Sequence, residues 1–175
     1  MARRLLINLS TFLRYSLKKE KEISLREELN YVEAYLSIEQ ARYKDKLTVS
    51  YSIDPQVDLD LPIPPFTIQP LVENAIKHGL KSKVKGGEIL INIYNELMYT
   101  VISVKDNGIG IKQSSEIEKA KGNGLGLYLV NERLKRIYGN ESTIIVESEP
   151  EMGTKVFFKI PIRPIQKDVI YSFSN

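Results

Sequence analysis

The chain reads as an α+β domain: a mixed sheet with helices on one face, preceded by N-terminal helices. Three observations predict this. Helical periodicity recurs at residues 2–19, 24–43, 68–79 and 127–138, interleaved with short apolar alternations. Two pairs of those alternations, 89–94 with 98–105 and 142–148 with 154–160, are joined by tight connections and read as hairpins. Hairpins pair antiparallel, which excludes an all-parallel doubly wound sheet.

Residues 2–19 form the first expected helix, with Leu5, Leu9, Phe12 and Leu13 on one stripe. A stripe this apolar on a helix this short needs a partner, and a weak homodimer through it is expected. The charged run Lys18 to Glu22 marks a joint. Ser24-Leu25-Arg26-Glu27 is a capping-box pattern that starts a second helix, to about Tyr43. Leu47 to Ile53 alternates as a half-buried strand, and Asp54-Pro55 breaks it. Pro62, Pro64 and Pro65 suit a helix entrance, with Gly79 as the stop. Residues 111–121 are polar and patternless, which suits a mobile lid. The domain boundaries follow: 1–22 a helical region, 23–163 the α/β domain, 164–175 a tail.

Composition bounds the function. The 175 residues are 42% hydrophobic and 27% charged, enough for one domain with a helical appendage. A net charge of +3 is too small to argue for nucleic acid. With no cysteine, disulfides and thiolate metal sites are excluded. No apolar stretch is long enough to cross a bilayer.

Three segments carry chemistry. In Leu71-Val72-Glu73-Asn74-Ala75-Ile76-Lys77-His78-Gly79, helical spacing puts Glu73, Asn74, Lys77 and His78 on an arc of roughly 140°. Ile68, Leu71, Val72, Ala75 and Ile76 fill the opposite side. A carboxylate, carboxamide, ammonium and imidazole so gathered can hold a hydrated metal ion and a polyphosphate; an ordinary solvated helix face has the same pattern. Next, Asp106-Asn107-Gly108-Ile109-Gly110 follows a strand. An acid there can accept a hydrogen bond from an exocyclic amine, and glycine lets backbone approach a flat base. The same residues also suit a plain turn. Last, Gly122-Asn123-Gly124-Leu125-Gly126-Leu127 opens a helix, and N–H groups at a helix start suit phosphate. It is neither a Rossmann fingerprint nor a Walker A loop.

In this order the segments resemble the N, G1 and G2 boxes of the GHKL ATPase superfamily, which includes gyrase, heat-shock chaperone, histidine kinase and MutL types. Gly153-Thr154 resembles the closing Gly-Thr on a late strand. Leu13-Arg14-Tyr15-Ser16-Leu17, Tyr35 to Tyr43 and Gln69 to Gly79 are similar to sensor histidine kinases of the LytS/YehU type, across about residues 5–162.

The resemblance implies a two-layer α/β sandwich of the GHKL (Bergerat) type that binds ATP between helices and lid. It implies Asn74 as the Mg2+ ligand and Glu73 as the catalytic group. Lys77, His78, Asp106, Gly108, Gly110, Gly122, Gly124, Gly126, Leu127 and Thr154 would hold the nucleotide. The γ-phosphoryl would pass to a histidine on an upstream helix and then to a response regulator. His78, the only histidine, lies in the N box and is not the phosphoacceptor. No Pro-His-Phe-like motif precedes Leu9, so the chain is expected to be the cytoplasmic catalytic part of a longer, membrane-anchored bacterial sensor. A gyrase or MutL-type ATPase module is the alternative. Leu129 stands where relatives carry Asn, with Asn131 nearby, and residues 111–121 contain no phenylalanine, so a separate F box is missing.

Overall fold

The computed structural model describes residues 21–43, 46–80, 86–111 and 125–162, without the side chains of 78–80 and 125. The N-terminal helix, the lid and the tail expected from the sequence lie outside the described residues.

In chain order the elements are β1 (Ile23–Ser24), α1 (Leu25–Tyr43), β2 (Leu47–Ile53), β3 (Pro62–Ile63) and α2 (Gln69–Asn74). Next come β4 (Gly87–Glu96), β5 (Tyr99–Asp106), α3 (Leu125–Tyr138), β6 (Ile145–Glu149) and β7 (Gly153–Pro161). The main sheet runs β2-β4-β5-β7-β6, with β2 parallel to β4 and the other pairs antiparallel. This is the expected mixed sheet. Its inward face carries Ile89, Ile91, Ile93, Ile102, Val104, Val156, Phe158 and Ile160, packed with Val32 and Leu36 of α1, Leu71 and Val72 of α2, and Val130 and Leu134 of α3. The opposite face exposes Leu90 and Ile145, whereas the exposed Tyr51 lies in register with Ile91 on the outer strand β2. Two layers, helices over one sheet face, follow directly from the period-2 burial of the strands.

The capping box at the start of α1 forms as the sequence predicts. The Glu27 backbone N–H donates to Ser24 Oγ at 3.2 Å, and the Ser24 N–H donates back to Glu27 Oε2 at 3.1 Å. Three features differ from expectation. Pro62 is not in a helix entrance: it lies in β3, which pairs with β1 as a two-stranded sheet. Gly79 is not a stop, because α2 changes after Asn74 into a π-helical stretch, Ala75–Leu80, that includes it. The expected strand from residue 142 begins only at Ile145, since Asn140–Ser142 forms a 3-10 turn.

The start of α2 depends on one buried acid. Glu28 of α1 is completely buried. Its Oε2 accepts the Phe66 N–H at 2.9 Å, and its Oε1 accepts those of Thr67 and Ile68, each at 2.8 Å, with a longer contact of 3.4 Å to Gln69. A helix start leaves its first N–H groups unpaired, and no side chain of the local sequence caps α2. Glu28 supplies that cap from another helix. Phe66 has a left-handed backbone, φ 56°, which costs a non-glycine residue about 1–2 kcal/mol. Its carbonyl accepts from Arg133 Nη2 at 2.9 Å, so the strained residue is held on both sides.

Glu28→Gln is therefore expected to lower stability by about 1–3 kcal/mol, because an amide NH2 would face a backbone N–H donor. Equilibrium denaturation of wild type and variant measures the difference.

Candidate nucleotide-binding site

Two strand ends and one helix converge where the helical layer meets the edge of the sheet. β5 and β7 pair so that Asp106 lies opposite Thr154, both on the inward face beyond Val104 and Val156. Asp106 is buried, 3% exposed, which is unusual for an acid. Its Oδ1 accepts the Gly108 N–H at 2.8 Å, which fixes the carboxylate and turns the chain. Asn107 ties the turn to β4: its N–H donates to the Glu88 carbonyl, and its Oδ1 accepts the Glu88 N–H at 2.9 Å.

The turn after Asp106 packs against the β6–β7 turn. A Cβ on Gly110, φ +65°, would overlap the Glu149 carbonyl. One on Gly153, φ +90°, would overlap the Asp106 carbonyl. The two glycines thus permit a backbone-to-backbone contact that no side chain allows. Ser148 completes it. Its Oγ accepts the Ile111 N–H at 2.9 Å, donates to the Gly153 carbonyl at 2.9 Å and lies 2.8 Å from Thr154 Oγ1. Sequence reasoning missed Ser148, for a serine in a strand carries no distinguishing pattern.

Helix α2 with its continuation separates apolar from polar residues over the positions described, although Lys77 lies in the π-helical part and the side chain of His78 is outside the described residues. Ile68, Leu71, Val72, Ala75 and Ile76 are buried, Glu73 and Lys77 are exposed and Asn74 is half-buried. The π-helical continuation packs against β4, β5 and β7, the strands that carry Asp106 and Thr154 among them. Glu73 Oε1 accepts from Gln69 Nε2 at 2.8 Å. Among the described residues no three acidic or imidazole side chains converge. A magnesium ion held by one carboxamide oxygen and by phosphates requires no such cluster.

The third segment is described only from Leu125. Gly126 opens α3 against α2: a Cβ there would stand 3.4 Å from Pro70 Cβ. Leu127 is in the core, so only its backbone faces outward chemistry. Gly122 and Gly124 lie outside the described residues, as does the side chain of His78. Asn131 is engaged elsewhere, its Oδ1 accepting the Ile144 N–H at 2.8 Å. A separate cleft of about 870 Å³ is lined by Phe66, Pro70, Gly126, Leu129, Arg133 and Arg136, but touches neither Asn74 nor Asp106.

A two-layer sandwich of helices over one face of a mixed sheet, with an acid-glycine turn after its central strand, is the architecture of a GHKL nucleotide-binding domain. The family described as histidine kinase-, DNA gyrase B-, and HSP90-like ATPases matches residues 66–164, and a histidine kinase family matches residues 1–47. The chain belongs to the first of these, the GHKL ATPases. It is similar to the sensor protein LytS of Bacillus anthracis, 38% identical over 91% of this chain and 28% of that protein. LytS of Staphylococcus saprophyticus is 39% identical over 98% of this chain and 30% of its own length. The chain thus spans less than a third of these relatives.

Among solved structures, the histidine kinase AdeS of Acinetobacter baumannii superposes with a TM-score of 0.62 at 16% identity, covering 91% of this chain and 76% of that one. The catalytic domain of the histidine kinase ThkA superposes at 0.59 with 22% identity, covering 82% and 97%. Both bear on the fold alone.

Gly153→Ala is expected to destabilise the protein well beyond the roughly 1–2 kcal/mol of a left-handed alanine, because it also displaces Asp106. Gly139→Ala is the control: its φ is +91°, but nothing lies within 4 Å of the added Cβ. Chemical denaturation of both variants separates backbone strain from the clash.

Proposed function

We propose that the chain is the ATP-binding catalytic part of a two-component sensor histidine kinase. The observation that carries this reading is the buried Asp106 carboxylate, fixed by Gly108 and paired across the sheet with Thr154. A fixed acceptor suits the exocyclic amine of adenine, and it discriminates against a base that presents a carbonyl there. Phosphates lie toward Asn74, Lys77, His78 and the glycines from Gly122 to Gly126. Asn74 holds Mg2+ through its carbonyl oxygen, in a site whose charge the phosphates already balance.

The reaction is phosphoryl transfer. An imidazole nitrogen of a histidine on a separate helix attacks the γ-phosphorus, the bond to the β-phosphate oxygen breaks, and ADP leaves. Glu73 polarises the attacking imidazole and accepts its proton. Lys77 offsets charge on the transferring group. The phosphohistidine then supplies a response regulator. The similarity to LytS and the histidine kinase match at residues 1–47 favour this over a gyrase-type module. The chain would be the cytoplasmic portion of a membrane-anchored sensor, paired weakly with a second copy through residues 5–17.

Calorimetric titration tests the adenine assignment. Wild type should bind ATP and reject GTP, and Asp106→Asn should weaken ATP binding by about 1–3 kcal/mol. Equal affinity of wild type for both nucleotides would refute it.

Asn74→Ala should abolish the magnesium dependence of ATP binding while the fold survives, because the side chain leaves no core cavity. Titration with and without Mg2+, with circular dichroism as the fold check, reads the outcome. An unchanged metal dependence removes Asn74 from the metal site.

A further inference from the structure

Gln69 stands at the first position of α2, and its side chain is 5% exposed. Its Nε2 donates to Glu73 Oε1 at 2.8 Å, one helical turn on. Its Oε1 is buried and has no hydrogen-bond partner among the described residues. A buried amide that served packing alone would satisfy both ends or be replaced by an apolar residue, since an unpaired buried acceptor costs free energy. Here the cost is accepted at one end while the other grips an exposed carboxylate.

The grip is rigid for a structural reason. The backbone around Gln69 is fixed by Glu28, which takes the N–H groups of Phe66 to Gln69. Pro70 follows and fixes the next φ. The amide therefore cannot drift with the helix start. Glu73, by contrast, is exposed and would otherwise sample several rotamers. On its other side lies α1. The half-buried Tyr35 phenol is pushed up by burial and then by the charges of Glu39 and Glu73, so it stays a neutral neighbour of that carboxylate.

We propose that Gln69 is a positioning residue that holds the Glu73 carboxylate in the orientation used for phosphoryl transfer. The inference rests on the kinase reading above. Gln69 touches no substrate and acts through Glu73. Holding the acceptor in place before the nucleophile arrives removes a rotamer search from the reactive complex.

The test uses the full chain, Mg-ATP and a separate helical chain bearing a phosphoacceptor histidine. Gln69→Met keeps the volume and removes the donor. It should lower kcat about 10- to 100-fold, as loss of one hydrogen bond to a charged group does. The KM for ATP should stay within about twofold, since only the transition-state interaction is lost. The melting temperature should hold or rise, because the unpaired acceptor is gone. A structural residue would give the opposite: lower melting temperature with kcat preserved. Gln69→Glu keeps the size and sets a second carboxylate beside the first, and it should lose more activity than Gln69→Met.

A measurement independent of turnover accompanies these. The side-chain amide protons of Gln69 should resonate apart from exposed amides and shift in Glu73→Ala, an exposed substitution. Unshifted amide resonances, or wild-type kcat in Gln69→Met, overturn the proposal. If wild type itself transfers no phosphoryl group, the kinase reading falls and the positioning role falls with it. If wild type transfers and Gln69→Met matches it, only the positioning role falls.

Discussion

The carboxylate of Glu28 is the constraint on which the site depends. It lies on α1, but its four hydrogen-bond donors lie on the segment that opens α2. Burial pushes its carboxyl up from the usual value, and the backbone donors pull it back. Arg133 reaches the same segment from α3, donating to the Phe66 carbonyl and to Thr67 Oγ1 at 3.2 Å. Burial lowers the Arg133 guanidinium, and the charge of Glu28 acts against that. A carboxyl and a guanidinium from two helices thus hold one turn of a third. Removing a charge from water is expensive, and the short backbone bonds to the Glu28 carboxylate offset that cost, while the Arg133 Nε has no hydrogen-bond partner among the described residues. What this hold secures is the direction of α2, and hence where the arc of Glu73, Asn74 and Lys77 points.

The other half of the site is built from backbone contact. β5 is the centre of the sheet, with Val101, Ile102, Ser103 and Val104 all buried. Its last residue, Asp106, is therefore placed by ladders on both sides, to Ile89 and to Thr154. Beyond it the chain must turn at once, and the turn is pressed against Glu149 and Gly153 closely enough to exclude any Cβ. A position made this way has little freedom to relax, which would suit the base recognition proposed for Asp106. The exposed face of the sheet contributes nothing to the site. Lysines cover part of it, Lys155 lying 4.4 Å from the Phe157 ring centroid and Lys159 4.5 Å from that of Tyr99.

Much of this was legible in the sequence, because local patterns carried it. Period-2 alternation marked the strands, the Ser24–Glu27 box marked the start of α1, and helical spacing sorted Leu71 and Val72 from Glu73 and Asn74. What escaped was set by contacts distant in sequence. Glu28 reads as an ordinary acid in a first helical turn, and only the packing of α1 on residues 66–69 makes it a cap. Arg133 looks like one more cation on the exposed side of α3. The pairing of Ile23 with Ile63 spans two residues, too short for any alternation to appear. Gly79 reads as a helix stop by its lack of a side chain, whereas packing against three strands carries the helix through it in a wider form.

That change of helical form bears on chemistry. In an α-helix each N–H reaches back four residues, and side chains three apart sit nearly in line. After Asn74 the hydrogen bonds reach back five, which turns the following residues relative to the first part of the arc. Asn74 is the last residue of the narrow form and Lys77 lies in the wide one. The carboxamide and the ammonium are thereby spread over a broader front than an ideal helix gives. A triphosphate is an extended chain of charge rather than a point, so a spread of donors meets more of it. Ala75 and Ile76 are buried in the wide form as α-helical spacing also predicts. Packing on the sheet and the change of helical form thus belong to one stretch, Ala75–Leu80, in which Ala75 and Ile76 are buried.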